Sequence, residues 1–171
     1  MLQESKRILG IDPGLATTGI SVIECSLGGT YRTLYCGCIE TLKDKRIEQR
    51  LSEIYSFIND IISRFKPYCL AIEEIFFSSN AKTVINIGQA RGVILLCASN
   101  NNINVFEYTP LEVKQAIVGY GRATKDQIRY MVKVLLKINE ADFPKKDDAW
   151  DSLAIAICHA NSSRFNEILK K

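Results

Sequence analysis

The chain has 171 residues, 47% hydrophobic and 24% charged, the balance of a single globular domain over 1–171 rather than a disordered or low-complexity chain. Its 22 Lys+Arg against 19 Asp+Glu leave a formal charge of +3, which permits a polyanionic partner without requiring one. No apolar run approaches the ~20 residues of a membrane span, and Met1 to Arg7 lack the apolar stretch of a secretory signal, so a cytosolic protein without membrane attachment is expected.

Arg7-Ile8-Leu9-Gly10-Ile11-Asp12 is a short apolar run stopped by Pro13-Gly14, the pattern of a strand and a turn. A second run, Gly19 to Glu24, follows at hairpin distance, and a third spans Tyr31 to Thr41, so an antiparallel meander is predicted. The period then changes. Ile47, Leu51, Ile54, Ile58, Ile61 and Phe65 form one apolar helical stripe that Pro67 ends. Cys69 to Glu73 has the composition of a buried strand, Lys82 to Ser99 that of a helix, and Asn104 to Tyr108 that of another short strand. Pro110 suits the first turn of a helix, and Thr124 and Gln127 stand at capping-box spacing before a helix that runs through Leu136. Asp147 to Ala160 predicts a strongly apolar closing helix. Three strands, a helix, then strands alternating with helices predict an α/β protein: a mixed five-stranded sheet flanked by helices, in the element order of the ribonuclease H-like fold.

Six cysteines raise the question of disulfides or zinc. Four sit in apolar runs, as Cys97 and Cys158 do, and buried reduced thiols are expected. Cys36 and Cys38 could supply half of a zinc site, but a second pair at ligand spacing is missing and His159 is the only histidine.

The acidic residues carry the chemistry. Asp12 and Glu73 each end an apolar strand, where α/β sheets hold their ligands and where a lone carboxylate is costly. Asp148 and Asp151 stand three apart at the start of the last helix and share a face. Taken singly, each has an ordinary structural explanation: a turn cap, a strand-end surface acid, a favourable charge at a helix N-terminus. Taken jointly, the four point to a divalent cation, with Mg²⁺ favoured for its preference for carboxylate oxygens, water and phosphate.

The motifs resemble those of the RuvC family of Holliday junction resolvases. Ile8 to Gly14 with Thr18-Gly19 resembles the family's opening motif, and Ala71-Ile72-Glu73 with Phe76 its second. Gly88 to Val93 resembles the helix that follows, Val105 to Tyr108 with Val113-Lys114-Gln115 and Val118-Gly119 continues the likeness, and Asp148-Ala149-Trp150-Asp151 resembles the closing motif. The likeness runs through nearly the whole chain, with two departures: Glu74 stands where the family has Gln, and Trp150 where it has a small residue.

The resemblance implies a homodimeric, Mg²⁺-dependent endonuclease that nicks a four-way DNA junction symmetrically and leaves 5′-phosphate and 3′-hydroxyl ends. Asp12, Glu73, Asp148 and Asp151 would be its catalytic acids and would hold two cations per site, with Mn²⁺ as a substitute and Asp12 as the bridging carboxylate. It further implies Lys114 and Lys125 near the scissile phosphate, Phe76 stacked on a base at the junction centre, and coupling to the RuvA and RuvB branch-migration complex. Gly88 and Gly92 call for close helix packing, within the chain or across a dimer. Two other readings are an actin-like ATPase, which needs two such domains and a glycine-rich adenosine loop, and a junction-binding module without catalysis, which would not need all four acids.

Overall fold

A computed structural model describes residues 5–26, 30–75, 81–138 and 145–162. The chain forms, in order, β1 (Lys6–Asp12), β2 (Thr17–Cys25), β3 (Tyr31–Glu40), α1 (Ile47–Phe65), β4 (Cys69–Glu73), α2 (Ala81–Asn100), β5 (Asn104–Tyr108), α3 (Pro110–Val118), α4 (Lys125–Leu136) and α5 (Asp147–Asn161). The strands make one mixed sheet of order β3-β2-β1-β4-β5. β1 is antiparallel to β2 and β2 to β3, the meander expected from the sequence. β1 and β5 both run parallel to β4.

The pleat sends alternate residues of each strand into two cores. Leu9, Ile11, Leu70 and Ile72 face α1 and α2 and pack with Ile54, Ile58 and Ile94. Ile8, Cys69 and Ala71 face the opposite layer, where they meet Val113, Ile128, Leu153 and Ile157 of α3, α4 and α5. Six strand and helix residues that fill these cores, Ile8, Leu9, Ile11, Leu70, Ile72 and Leu153, are fully buried. The helix starts are built as their sequences imply. Thr124 and Gln127 cap each other's backbone N–H groups at 3.3 and 2.9 Å, and Thr109 with Glu112 repeats the device ahead of Pro110.

Two glycines decide how α5 lies on the sheet. A Cβ on Gly10 would stand 2.3 Å from the Ser152 carbonyl oxygen, and one on Gly19 would stand 1.9 Å from that of Asp148. No other residue permits this approach, so α5 rests directly on β1 and β2. Gly88 and Gly92 behave differently: the nearest atom to an added Cβ on Gly88 is 3.9 Å away, and nothing lies within 4 Å of one on Gly92. Close packing within the described residues therefore does not account for them. All six cysteines are free thiols, and Cys25, Cys69, Cys97 and Cys158 are buried.

Candidate active site

The register of the parallel pair generates the site. Ile8 to Ile11 lie beside Cys69 to Ile72, so the next residues, Asp12 and Glu73, end their strands at the same height on neighbouring strands. Both follow the parity of Ile8 and Cys69, which face the α5 layer. Asp12 also pairs with Gly19, the residue over which the Asp148 backbone passes. The helix start thus brings Asp151 to a cavity shared with Glu73 and puts Asp148 and Asp151 within electrostatic reach of Asp12. Their faces are not identical. Asp151 lines a cavity of about 270 Å³ with Glu73, Lys114 and Lys125, whereas Asp148 borders a separate cleft beside the β1–β2 turn.

The electrostatics record an excess of buried negative charge. Burial, then the charges of Glu73, Asp151 and Asp148, push the Asp12 carboxyl up to about 8. Burial and Asp151 raise Glu73, opposed by the charges of Lys125 and Lys114. Burial raises Asp151 as well, opposed by Lys125, whose Nζ donates to Asp151 Oδ2 at 3.3 Å. Two lysines do not neutralise four acids. Among the described residues no three His, Cys, Asp or Glu side chains close into a ready-made metal cage. Mg²⁺ does not require one, since it keeps waters and substrate phosphate in its shell and takes one or two protein carboxylates. An oxygen-only donor set in which the central acid is hard to ionise fits such a cation.

The remaining sequence candidates separate clearly. Lys114 and Lys125 both reach the site, one half-buried and the other exposed. Phe76 lies outside the described residues. Trp150 is buried against α4, with the Arg129 guanidinium 4.9 Å from its ring centre. Glu74 continues the sheet by donating its backbone N–H to the Tyr108 carbonyl at 2.9 Å.

One important residue carried no assignment in the sequence. Arg91 of α2 is buried and donates from Nη1 to the Glu73 carbonyl at 2.9 Å, while Nη2 pairs with Glu107 Oε2 at 2.6 Å. It ties the ends of β4 and β5 together from below the site. The only signal was its presence in the Gly88–Val93 motif, which says nothing about what it touches.

Fold and site define a class: metal-dependent nucleases built on the ribonuclease H-like sheet, with acids at the ends of two central strands and on the last helix. Residues 8–159 match the family model described as Crossover junction endodeoxyribonuclease RuvC. The chain is 50% identical over 164 residues to the enzyme of that name from Desulforamulus reducens, covering 95% of this chain and 99% of the relative. It is 51% identical over 157 residues to that of Caldicellulosiruptor saccharolyticus, covering 92% and 93%. T. thermophilus RuvC, solved in complex with a Holliday junction substrate, superposes with a TM-score of 0.88 at 31% identity, covering 94% of this chain and 96% of that one. The yeast mitochondrial Holliday junction resolvase shares the fold, with a TM-score of 0.68 at 13% identity over 96% and 83% of the chains. The chain belongs to the RuvC family of crossover junction endodeoxyribonucleases.

Proposed function

We propose that this chain, acting as one domain over 1–171, resolves four-way DNA junctions by paired symmetric nicks in recombination and repair, leaving 5′-phosphate and 3′-hydroxyl ends. The observation that carries the reading is the meeting of Asp12 and Glu73, level on adjacent parallel strands, with Asp148 and Asp151 of α5. Two Mg²⁺ ions held by these four acids, or Mn²⁺ in their place, would supply an activated water and a sink for charge on the departing 3′ oxygen. Asp12, which ends β1 level with Glu73 and opposite the Gly19 over which α5 starts, would be the carboxylate shared by both ions. Lys114 and Lys125 hold the phosphate and balance Glu73 and Asp151. Phe76 is assigned to a base at the junction centre.

Symmetric cutting calls for two sites. The exposed face of α2 supports a homodimer: Ile85 is 60% exposed and Leu96 56%, with exposed Gln89 and Gly92 on the same face. Gly92 there lets a second helix approach closely. No helix among the described residues is long and apolar enough to cross a membrane, and we assign the enzyme to the cytoplasm with RuvA and RuvB as its branch-migration partners.

The test is a synthetic four-way junction incubated with the protein and Mg²⁺, EDTA or ATP. Paired nicks that need Mg²⁺ and ignore ATP are expected. Asp12→Asn, Glu73→Gln, Asp148→Asn and Asp151→Asn should each abolish cleavage and leave junction binding intact, because phosphate contacts do not need the acids. Normal cutting by Asp148→Asn or Asp151→Asn would overturn the helix-borne half of the metal site.

A further inference from the structure

A cleft of about 520 Å³ opens beside Asp148, between the β1–β2 turn, the β3–α1 connection and the first turns of α2. Its volume lies within the ~300–1,000 Å³ of ligand-holding clefts. Lys43, Arg50, Thr17, Thr83 and Asn86 line it with Asp148. Two cations therefore face one carboxylate, whereas the neighbouring catalytic cavity sets two lysines against two acids.

Arg50 is held in place before any ligand arrives. Its Nε donates to Thr41 Oγ1 at 2.8 Å, and its Nη2 donates to the carbonyls of Leu15 and Thr41 at 3.3 and 3.5 Å. Thr41 is itself buried and donates to the Leu15 carbonyl at 2.5 Å. The guanidinium thus stitches the β1–β2 turn to the β3–α1 connection by neutral acceptors alone. Among the described residues neither Arg50 nor Lys43 pairs with a carboxylate. A fixed, unneutralised guanidinium beside a flexible ammonium is a phosphate-binding arrangement. The first turn of α2 adds no acid to oppose an anion.

The cleft is separate from the catalytic centre but adjoins it. It shares Ile87 with a cavity of about 210 Å³ that holds Asp12 and Glu73, and that cavity shares Glu73 and Pro110 with the one holding Asp151, Lys114 and Lys125. The pocket of Asp12 and Glu73 thus adjoins a cation-lined pocket through Ile87 and another through Glu73 and Pro110.

We infer that the Lys43–Arg50 cleft binds the backbone phosphate of the cleaved DNA strand that flanks the scissile phosphate on the side opposite Lys114 and Lys125, with Asn86 as a neutral donor. This rests on the nuclease reading of the acidic centre. A strand clamped at both ends across the acids is held in register, which a site with cations on one side alone does not achieve.

The experiment uses the full-length chain and a four-way junction carrying single methylphosphonates, which neutralise one phosphate at a time along the cleaved strand. Binding is measured in EDTA so that the junction stays uncut, and cleavage in Mg²⁺. Lys43→Gln should weaken binding about 3–10-fold near 0.1 M salt and flatten the salt dependence by about one unit, as expected for one lost phosphate contact. It should melt with wild type, because Lys43 is exposed and supports no neighbour. One methylphosphonate beside the cut should weaken wild type and leave Lys43→Gln no weaker than before. Asn86→Asp, which adds a charge to the cleft and leaves Arg50's contacts alone, should weaken binding further. Wild-type binding by both variants, or Lys43→Gln losses that add in full to those of every methylphosphonate, would overturn the subsite. If wild type fails to cut the junction in Mg²⁺, the nuclease reading fails instead. The cleft is then judged on duplex binding alone: Lys43-dependent binding supports it and Lys43-independent binding rejects it.

Discussion

Arg91 reaches Glu73 through its main-chain carbonyl rather than through its carboxylate. Its bond to the Glu73 carbonyl fixes the last peptide of β4, and its ion pair with Glu107 fixes the end of β5, so the Glu73 side chain leaves a braced backbone. Residues that orient a metal ligand commonly contribute 10–100-fold in activity or metal affinity. Arg91→Met should therefore lower kcat by about that factor, raise the Mg²⁺ concentration for half-activity, and leave junction Kd within about twofold. Arg91→Lys should recover part of the loss through the carbonyl bond alone. A variant that melts early but shows wild-type Mg²⁺ dependence would reduce Arg91 to a packing role. The contrast with Asp12 explains what could be seen in advance. An acid at the end of an apolar strand is a local misfit, readable from five or six neighbouring letters. The meaning of Arg91 lies in a carbonyl 18 residues away on another element, and helix spacing does not encode it.

The elements were legible because their periods differ. The four-three spacing of α1, the short apolar runs of β1 and β4 and the capping box of α4 are all local signals, and each element formed where its pattern predicted. Ends were less well marked. β2 begins at Thr17 rather than Gly19, because hydrogen bonding with β3 carries the ladder back through Thr17 and Thr18, β-branched residues that lie outside the apolar run. The glycines were the least legible, since identical letters do different work. Gly19 admits the α5 backbone, while Gly92 faces open space. Gly19→Ala should push α5 off the sheet at about 1–3 kcal/mol or more, the usual range for overpacking, which at roughly 2–4 °C per kcal/mol is several degrees of Tm. It should also lower cleavage beyond any loss of folded protein, because Asp148 travels with the helix. Gly92→Ala meets no atom of its own chain within 4 Å and, at concentrations that keep the chain monomeric, should stabilise it by up to about 1 kcal/mol through helix propensity while weakening dimerisation. Thermal melts of the two variants that shift in the same direction would contradict this account.

At the scale of the whole molecule, the buried cluster of acids is a standing load on the fold. The cluster sits where both cores meet the ends of β1 and β4, so ionising Asp12 strains the centre of the sheet rather than its rim. The Asp12 carboxyl titrates near 8 in the folded chain against an ordinary value of 3.8. A raised carboxyl binds its proton more tightly when folded than when unfolded, so unfolding releases a proton between these two values. Its contribution to stability is full below about 3.8, declines across the window and is gone above about 8. Glu73 and Asp151 are shifted in the same direction and steepen the decline. Glu24, lowered by its contacts with Arg7 and Arg32, acts oppositely, and its contribution is lost only as the pH falls through the acid range. In EDTA the Tm should therefore drop steadily from pH 5 to about pH 8 and level off above it. Mg²⁺ held by the ionised acids, as proposed, would compete with protons, so its stabilising effect should be small at pH 5 and grow toward pH 9. Asp12→Asn removes the group with the largest shift, and should flatten the EDTA profile while weakening the Mg²⁺ response. Scanning calorimetry across this range, with and without Mg²⁺, decides the matter. An Asp12→Asn profile parallel to that of wild type would show that the acids are solvated separately and do not form one coupled site.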